Sequence, residues 1–292
     1  MLLPQLRTFN ISGLDLAVWE WPGDDPPLVW AHATGFHGRV WDWLIRRFPG
    51  RRSLSVDFRG HGRSAKPAPP YHWREFATDL VGIADTLGIR GAIGIGHSMG
   101  GHSIVEATSI RPETFSALLL VDATIFPPER YRHPPFDASF IRRRRNQWTS
   151  PDEMVERFRN RDPFAQWNPE ILRDYCDHAL MPSANGDGLA LACPPEVEAS
   201  IYEHSVEPPS SLYAVIPHIT QPVVVMRAGL QYTPGVLSLG ASPTAPDLAS
   251  KFPHARDVLL EGSNHYFPME RPDLVVEELM KLSDYGSMTS GT

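Results

Sequence analysis

Gly91-Ala92-Ile93-Gly94-Ile95-Gly96-His97-Ser98-Met99-Gly100 is the stretch on which the reading of this chain turns. An apolar run ends in a G-x-S-x-G string at residues 96–100, and a helix-like segment follows over 101–110. A serine there must turn sharply from strand to helix, in a conformation too crowded for large neighbours, so glycines flank it two residues either side. The turn lifts the hydroxyl clear of the backbone. It also aims the N–H groups at the helix start toward any oxyanion that forms on the serine. A serine at a helix start can be a simple cap. The strand before Ser98, the helix after it and the paired glycines point instead to a nucleophile.

Working outward, the 292 residues are 42% hydrophobic and 21% charged, enough for a full globular core. Lys plus Arg number 27 against 34 Asp plus Glu, and the net charge of −7 gives no reason to expect nucleic acid or an anionic membrane as partner. Cys176 and Cys193 are the only cysteines and have no metal-type spacing, so neither a disulfide scaffold nor a metal site is expected. The first residues, MLLPQLRTFNISG, lack the basic and then apolar pattern of a secretory leader, and no apolar run approaches a bilayer span. A cytoplasmic protein is the expectation.

Short apolar runs recur at residues 28–31, 53–56, 92–95, 117–121, 223–226 and 258–260, with helix-like stretches at 73–87, 102–110 and 273–282. Alternation of this kind predicts a mostly parallel sheet with helices on both faces. Residues 14–21 partly alternate apolar and polar side chains, which predicts an exposed strand of an opening antiparallel pair. The alternation breaks over residues 124–217, which carry many prolines, the run Arg142-Arg143-Arg144-Arg145 and no clear buried strand. A helical insertion over the C-terminal edge of the sheet is expected there. The small, polar residues 283–292 are expected to fray.

Four strings in order carry a family resemblance: His32-Ala33-Thr34-Gly35-Phe36-His37-Gly38, Asp57-Phe58-Arg59-Gly60-His61-Gly62-Arg63-Ser64, the serine turn itself, and Gly262-Ser263-Asn264-His265. Over nearly its whole length the chain resembles the α/β-hydrolase superfamily, and the second string is similar to that of its esterase, epoxide-hydrolase and dehalogenase-like branch. The resemblance implies an α/β fold: an eight-stranded, mostly parallel sheet with helices on both faces and a helical cap. Residues 1–123 and 218–292 would form the core and 124–217 the cap.

The resemblance also implies roles. Ser98 would be the nucleophile and His265, after the last apolar run, its base. His97 and His102 belong to the turn and the following helix, while His32, His37 and His61 lie where the family uses histidine structurally. The acid is less plain. The usual segment after the seventh strand reads Arg227-Ala228-Gly229-Leu230-Gln231-Tyr232-Thr233-Pro234, without a carboxylate, and none follows until Asp247. A minority of the family carries the acid after the sixth strand, where this chain has Asp122. Asp122 is therefore the first candidate and Asp247 the second. The oxyanion hole would use the backbone N–H groups of Thr34 and Met99, with Ala33 standing where glycine is usual. Phe36 and Trp41 read as pocket or core residues. Trp148, Phe164 and Trp167 either line an apolar pocket or pack the insertion onto the sheet. The arginine run either recruits an anionic substrate or forms a solvated face.

The function so implied is a serine hydrolase of small carboxylic esters through a Ser-His-Asp triad, without cofactor or metal. Carbon–carbon bond hydrolysis, lactonase action, cofactor-free perhydrolysis and a non-catalytic binding role on the same scaffold are the alternatives. A serine nucleophile argues against dehalogenase and epoxide-hydrolase chemistry, which runs through a carboxylate.

Overall fold

The computed structural model describes residues 3–183, 185–231 and 238–289, with side chains as far as 283. Eight strands make the main sheet: β1 (Gln5–Ile11), β2 (Leu14–Trp21), β3 (Asp24–Ala31), β4 (Arg51–Asp57), β5 (Ala92–His97), β6 (Phe115–Val121), β7 (Val223–Ala228) and β8 (Ala255–Leu260). Their order is β1-β2-β4-β3-β5-β6-β7-β8. Only the pairings of β2, with β1 and with β4, are antiparallel. The sheet is mostly parallel, as the strand–helix alternation predicts.

Burial on both faces explains why the central strands are apolar throughout. On β6 and β7, Leu118, Leu120, Val223 and Val225 enter one core, while Leu119, Val121, Val224 and Met226 enter the other. The period of two divides each strand between the cores. The first core is closed by α1 (Trp73–Leu87), which buries Trp73, Phe76, Ala77, Leu80, Ile83 and Ala84 at helical spacing. A side chain buried in this way stabilises by about 1.5–3 kcal/mol. His72 and Glu75 cap the start of α1, and Gly88 ends it in the left-handed region at φ 64°. The second core lies under α6 (Pro272–Thr289), whose Val275, Val276 and Leu279 are buried.

Register lines the strand ends up along one edge. Ala31 of β3 pairs with Gly96, His97 of β5 with Val121, and Val121 of β6 with Met226. The residues that follow these strands therefore open on the same side of the molecule.

Between β6 and β7 lie α3 (Pro151–Phe158), α4 (Pro169–His178) and α5 (Pro195–Glu203), helices under eight residues being left unnumbered in this scheme. The insertion is not purely helical. Gln147–Trp148, Leu189–Leu191 and Leu180–Pro182 form a small antiparallel ribbon in that order. Strands of two or three residues are too short to show a period, so the sequence does not reveal them. Two other expectations change. Residues Leu16, Ala17 and Val18 of β2 are fully buried, because both faces of this strand are covered: Leu16 and Val18 enter the first core and Trp21 the second. Helix α6 runs on to Thr289 where fraying was expected, and residues 290–292 lie outside the described part. Among the described residues no helix is long and apolar enough to cross a membrane.

Candidate active site

Ser98 sits between β5 and α2 (Met99–Ile110) with φ 56° and ψ −119°. A side chain at positive φ costs on the order of 1–3 kcal/mol, and such strain is found where function demands a geometry. Its backbone is held on every side. Ser98 N–H donates to the Val121 carbonyl at 3.1 Å, while Ser98 C=O accepts from Gly101 and Thr124 at 3.1 and 3.0 Å. The flanking glycines answer to close approach. A Cβ on Gly100 would stand 2.2 Å from the Ala31 carbonyl oxygen, and one on Gly96 2.5 Å from the Gly100 carbonyl carbon.

His265 follows the turn after β8, and its N–H donates to the Gly240 carbonyl at 2.8 Å. Its Nδ1 lies 2.7 Å from Oδ2 of Asp122, the residue directly after β6. A carboxylate can only accept, so Nδ1 carries the proton and the Nε2 lone pair is left for a hydroxyl. Asp122 is fully buried at φ 46°. Its Oδ1 accepts from Ala228 N–H at 3.0 Å, Ser242 Oγ at 2.6 Å and Thr244 Oγ1 at 3.2 Å. Burial pushes the carboxyl pKa up, but the His265 imidazole and the Ser242 and Ala228 donors outweigh it and hold the group below its ordinary value. The other candidate acid, Asp247, is exposed and ion-paired with Lys251 at 2.7 Å. Residues Tyr232, Thr233 and Pro234 of the segment after β7 lie outside the described part.

The sequence reading missed Thr124. In the resting arrangement Ser98 Oγ shares a 3.0 Å hydrogen bond with Thr124 Oγ1, and its partner is this hydroxyl rather than the imidazole. It also missed Ser242 and Thr244, whose only sequence signal is a pair of hydroxyls two apart in a loop.

Thr34 and Met99 face each other across the site, with Thr34 Oγ1 3.5 Å from Met99 Sδ. Among the described residues neither backbone N–H has a backbone acceptor, and Met99 heads α2, where the helix dipole is positive. Histidines brace the loop that carries Thr34. His32 Nδ1 donates to the Ala33 carbonyl at 2.8 Å and its Nε2 accepts from Phe58 N–H at 3.1 Å. His61 Nε2 accepts from Gly35 N–H at 3.0 Å. Burial pushes the pKa of His32 down to about 4 and that of His97 to about 3, so both stay neutral. The loop around Asp57 is likewise structural: its carboxylate accepts from Gly38 N–H at 2.6 Å and Arg63 N–H at 2.8 Å.

Two cavities, about 490 and about 540 Å³, meet at Ser98 and His265. Thr34, Phe140, Arg143 and Tyr202 also line both. Phe140, Arg143 and Tyr202 belong to the insertion, so this segment walls the site. Trp148, Phe164 and Phe36 line the second chamber, whereas Trp167 packs on Phe36 and Tyr175, each at 5.5 Å, and Trp41 is core. A larger cleft of about 1140 Å³ opens near Pro26, Gly91, Ser116 and Pro222, at the opposite ends of the strands, and reaches none of these residues. Among the described residues one group could hold a metal, His72 with His204 and Glu207, whose ligand atoms lie within 4.8 Å of one another. None of the three lines either chamber.

The arrangement can polarise the Ser98 hydroxyl through His265, orient that base through Asp122, and present two N–H donors to a carbonyl oxygen. Known proteins resemble the chain over part of its length. The 2-(acetamidomethylene)succinate hydrolase of Mesorhizobium japonicum is 32% identical over 119 residues, 40% of this chain and 42% of that protein. A non-heme chloroperoxidase of Streptomyces lividans is 32% identical over 116 residues, 38% of this chain and 42% of that one. These matches thus span well under half of each relative. The crystal structure of an E-2-(acetamidomethylene)succinate hydrolase superposes with a TM-score of 0.77 at 22% identity, covering 96% of this chain and 99% of the other, which speaks to the fold alone. The sequence model of the alpha/beta hydrolase family matches residues 28–278, from within β3 through the insertion and past β8, and the chain belongs to that family.

Proposed function

We propose that the chain hydrolyses carboxylic esters through an acyl-enzyme on Ser98. The observation that carries this reading is the 2.7 Å Asp122–His265 pair beside a serine held at φ 56°. In this scheme the Ser98 hydroxyl leaves Thr124 and turns toward His265 Nε2 as substrate binds. Catalytic hydrogen bonds of this kind are commonly long or misdirected until substrate arrives. Ser98 Oγ then attacks the ester carbonyl as its proton passes to Nε2, and the oxyanion takes the N–H groups of Thr34 and Met99. As the C–O bond breaks, His265 returns that proton to the leaving alcohol. Water, deprotonated by the same nitrogen, attacks the acyl-enzyme and frees the acid and Ser98. Asp122 stays ionised throughout and stabilises the imidazolium.

The family hosts several reactions on one scaffold, so the site and not the fold has to argue the chemistry. Two chambers meeting at Ser98 fit an ester, with acyl and alcohol arms on either side of the carbonyl. The insertion, residues 124–217, acts in this reading as a cap that selects arm size. Cys176 and Cys193, both buried free thiols, fit the cytoplasmic setting we assign. The test is Ser98→Ala against p-nitrophenyl esters of varied acyl length. Hydrolysis should fall by at least about 10³ with the circular dichroism unchanged. A variant that keeps most of its activity refutes the scheme.

A further inference from the structure

The four consecutive arginines of the insertion have different fates. Arg142 pairs with Glu196 and Glu203, Arg144 with the buried Glu198, and Arg145 with Glu153. Among the described residues the exposed Arg143 makes no ion pair or side-chain hydrogen bond, although its charge reaches Asp137 on the wall of the first chamber, and it alone of the four lines both chambers that meet at Ser98. Arg157 and Arg161 line the second chamber and are also without a carboxylate among the described residues. Against these three guanidinium groups the second chamber offers one carboxylate not already paired, Asp162, while in the first chamber Arg130 and Arg143 face Asp137. The protein as a whole carries a net charge of −7. A cationic chamber in an anionic protein is a local reversal of sign, and such pockets focus counter-charged ligands.

We propose that the substrate is an ester that carries a second, free carboxylate, and that Arg143 is the specificity residue that receives it. The proposal rests on the ester reading of Ser98 given above. Guanidinium and carboxylate match as two parallel N–H···O bonds, which fixes orientation as well as charge. Arg143 and Ser98 line the same two chambers, so one substrate molecule can reach both, its carbonyl at Ser98 and its charged end at Arg143. Apolar walls at Phe140, Trp148 and Phe164 fit the methylene links between them. The half-ester of a short dicarboxylic acid has this shape. The reaction itself is unchanged: the ester C–O bond is cut, and the second carboxylate neither gains nor loses a bond.

Two measurements test it. In the first, kcat/KM is compared for the mono-p-nitrophenyl ester of glutaric acid and for p-nitrophenyl butyrate. The ratio of the two should fall about tenfold in Arg143→Ala, chiefly through KM, and Arg143→Lys should recover part of it. Arg142→Ala, whose charge is spent on Glu203, should keep the wild-type ratio. In the second, calorimetric titration of Ser98→Ala should show monomethyl glutarate binding tighter than dimethyl glutarate, with the difference lost on adding Arg143→Ala. An unchanged ratio in Arg143→Ala, or equal binding of the two glutarates, overturns the proposal. If the glutarates are told apart but neither ester is cleaved by the wild type, the anion site stands and the ester reading falls.

Discussion

Asp122 shows how one side chain can carry several duties. Its Oδ2 faces His265 while its Oδ1 gathers three donors, from Ala228, Ser242 and Thr244. An amide at this position can present N–H to the imidazole and reverse its tautomer, leaving Nε2 protonated and useless as a base. Asp122→Asn should therefore lower turnover by about 10³ to 10⁴, as loss of a triad acid does elsewhere. Asp247→Asn, which removes only an exposed partner of Lys251, should leave turnover within about twofold. Steady-state kinetics on the two variants checks both outcomes; near-equal losses would return Asp247 to consideration. The placement of Ser98 is legible in the run and glycines around it, and that of His265 and Asp122 through the family resemblance, which sets each after one of the short apolar runs. Thr124, Ser242 and Thr244 are not legible. Hydroxyl residues are common, and their roles here come from contacts across more than 100 positions for Ser242 and Thr244.

The strand–turn–helix unit of β5 and α2 is the element that sequence specifies most strongly. Six buried strand residues, a serine at positive φ and glycines at points of backbone contact all state the same geometry. Gly100→Ala places a methyl carbon against the Ala31 carbonyl, rigid backbone in the neighbouring strand, so the helix must lift away from the sheet. Overpacking of this kind costs typically 1–3 kcal/mol, and urea unfolding should show a loss of at least about 2 kcal/mol. Because the same shift moves Met99 N–H away from Thr34, hydrolysis should weaken even where the variant is folded. Full stability in Gly100→Ala would mean that the contact relaxes freely. The insertion is the opposite case. Its helices are signalled by Pro at the first turn and by caps such as Ser150 and Asn168. Its ribbon is not, since strands this short are set by pairing and not by period.

Across the whole molecule, buried neutral histidines tie stability to pH. Burial pushes His32 and His102 down to about 4 and His97 to about 3, from an ordinary 6.5. The unfolded chain binds protons at these rings once the pH drops below 6.5, while the folded chain does not until near 4. Unfolding therefore takes up protons in that window, and stability falls as pH falls through it. The loss between pH 7.5 and pH 5 should be on the order of a few kcal/mol, read from urea midpoints at the two values; a flat profile would show these rings protonating in place. Asp122, held below its ordinary pKa, adds a stabilisation that persists above the unfolded carboxyl pKa and disappears at lower pH. The parallel sheet is legible at this scale because six apolar runs recur along the chain, each too short for a helix. The fate of the arginine run is not, because the glutamates that take up Arg142 and Arg144 lie about 50 residues further on.

Everything proposed for catalysis passes through a covalent bond at Ser98, and that bond can be weighed. The protein treated with a fluorophosphonate should gain the mass of one phosphonyl group, located by tandem mass spectrometry on the peptide holding residues 96–100, and Ser98→Ala should gain none. Absence of the adduct from the wild-type protein, or its appearance on another residue, would contradict the account.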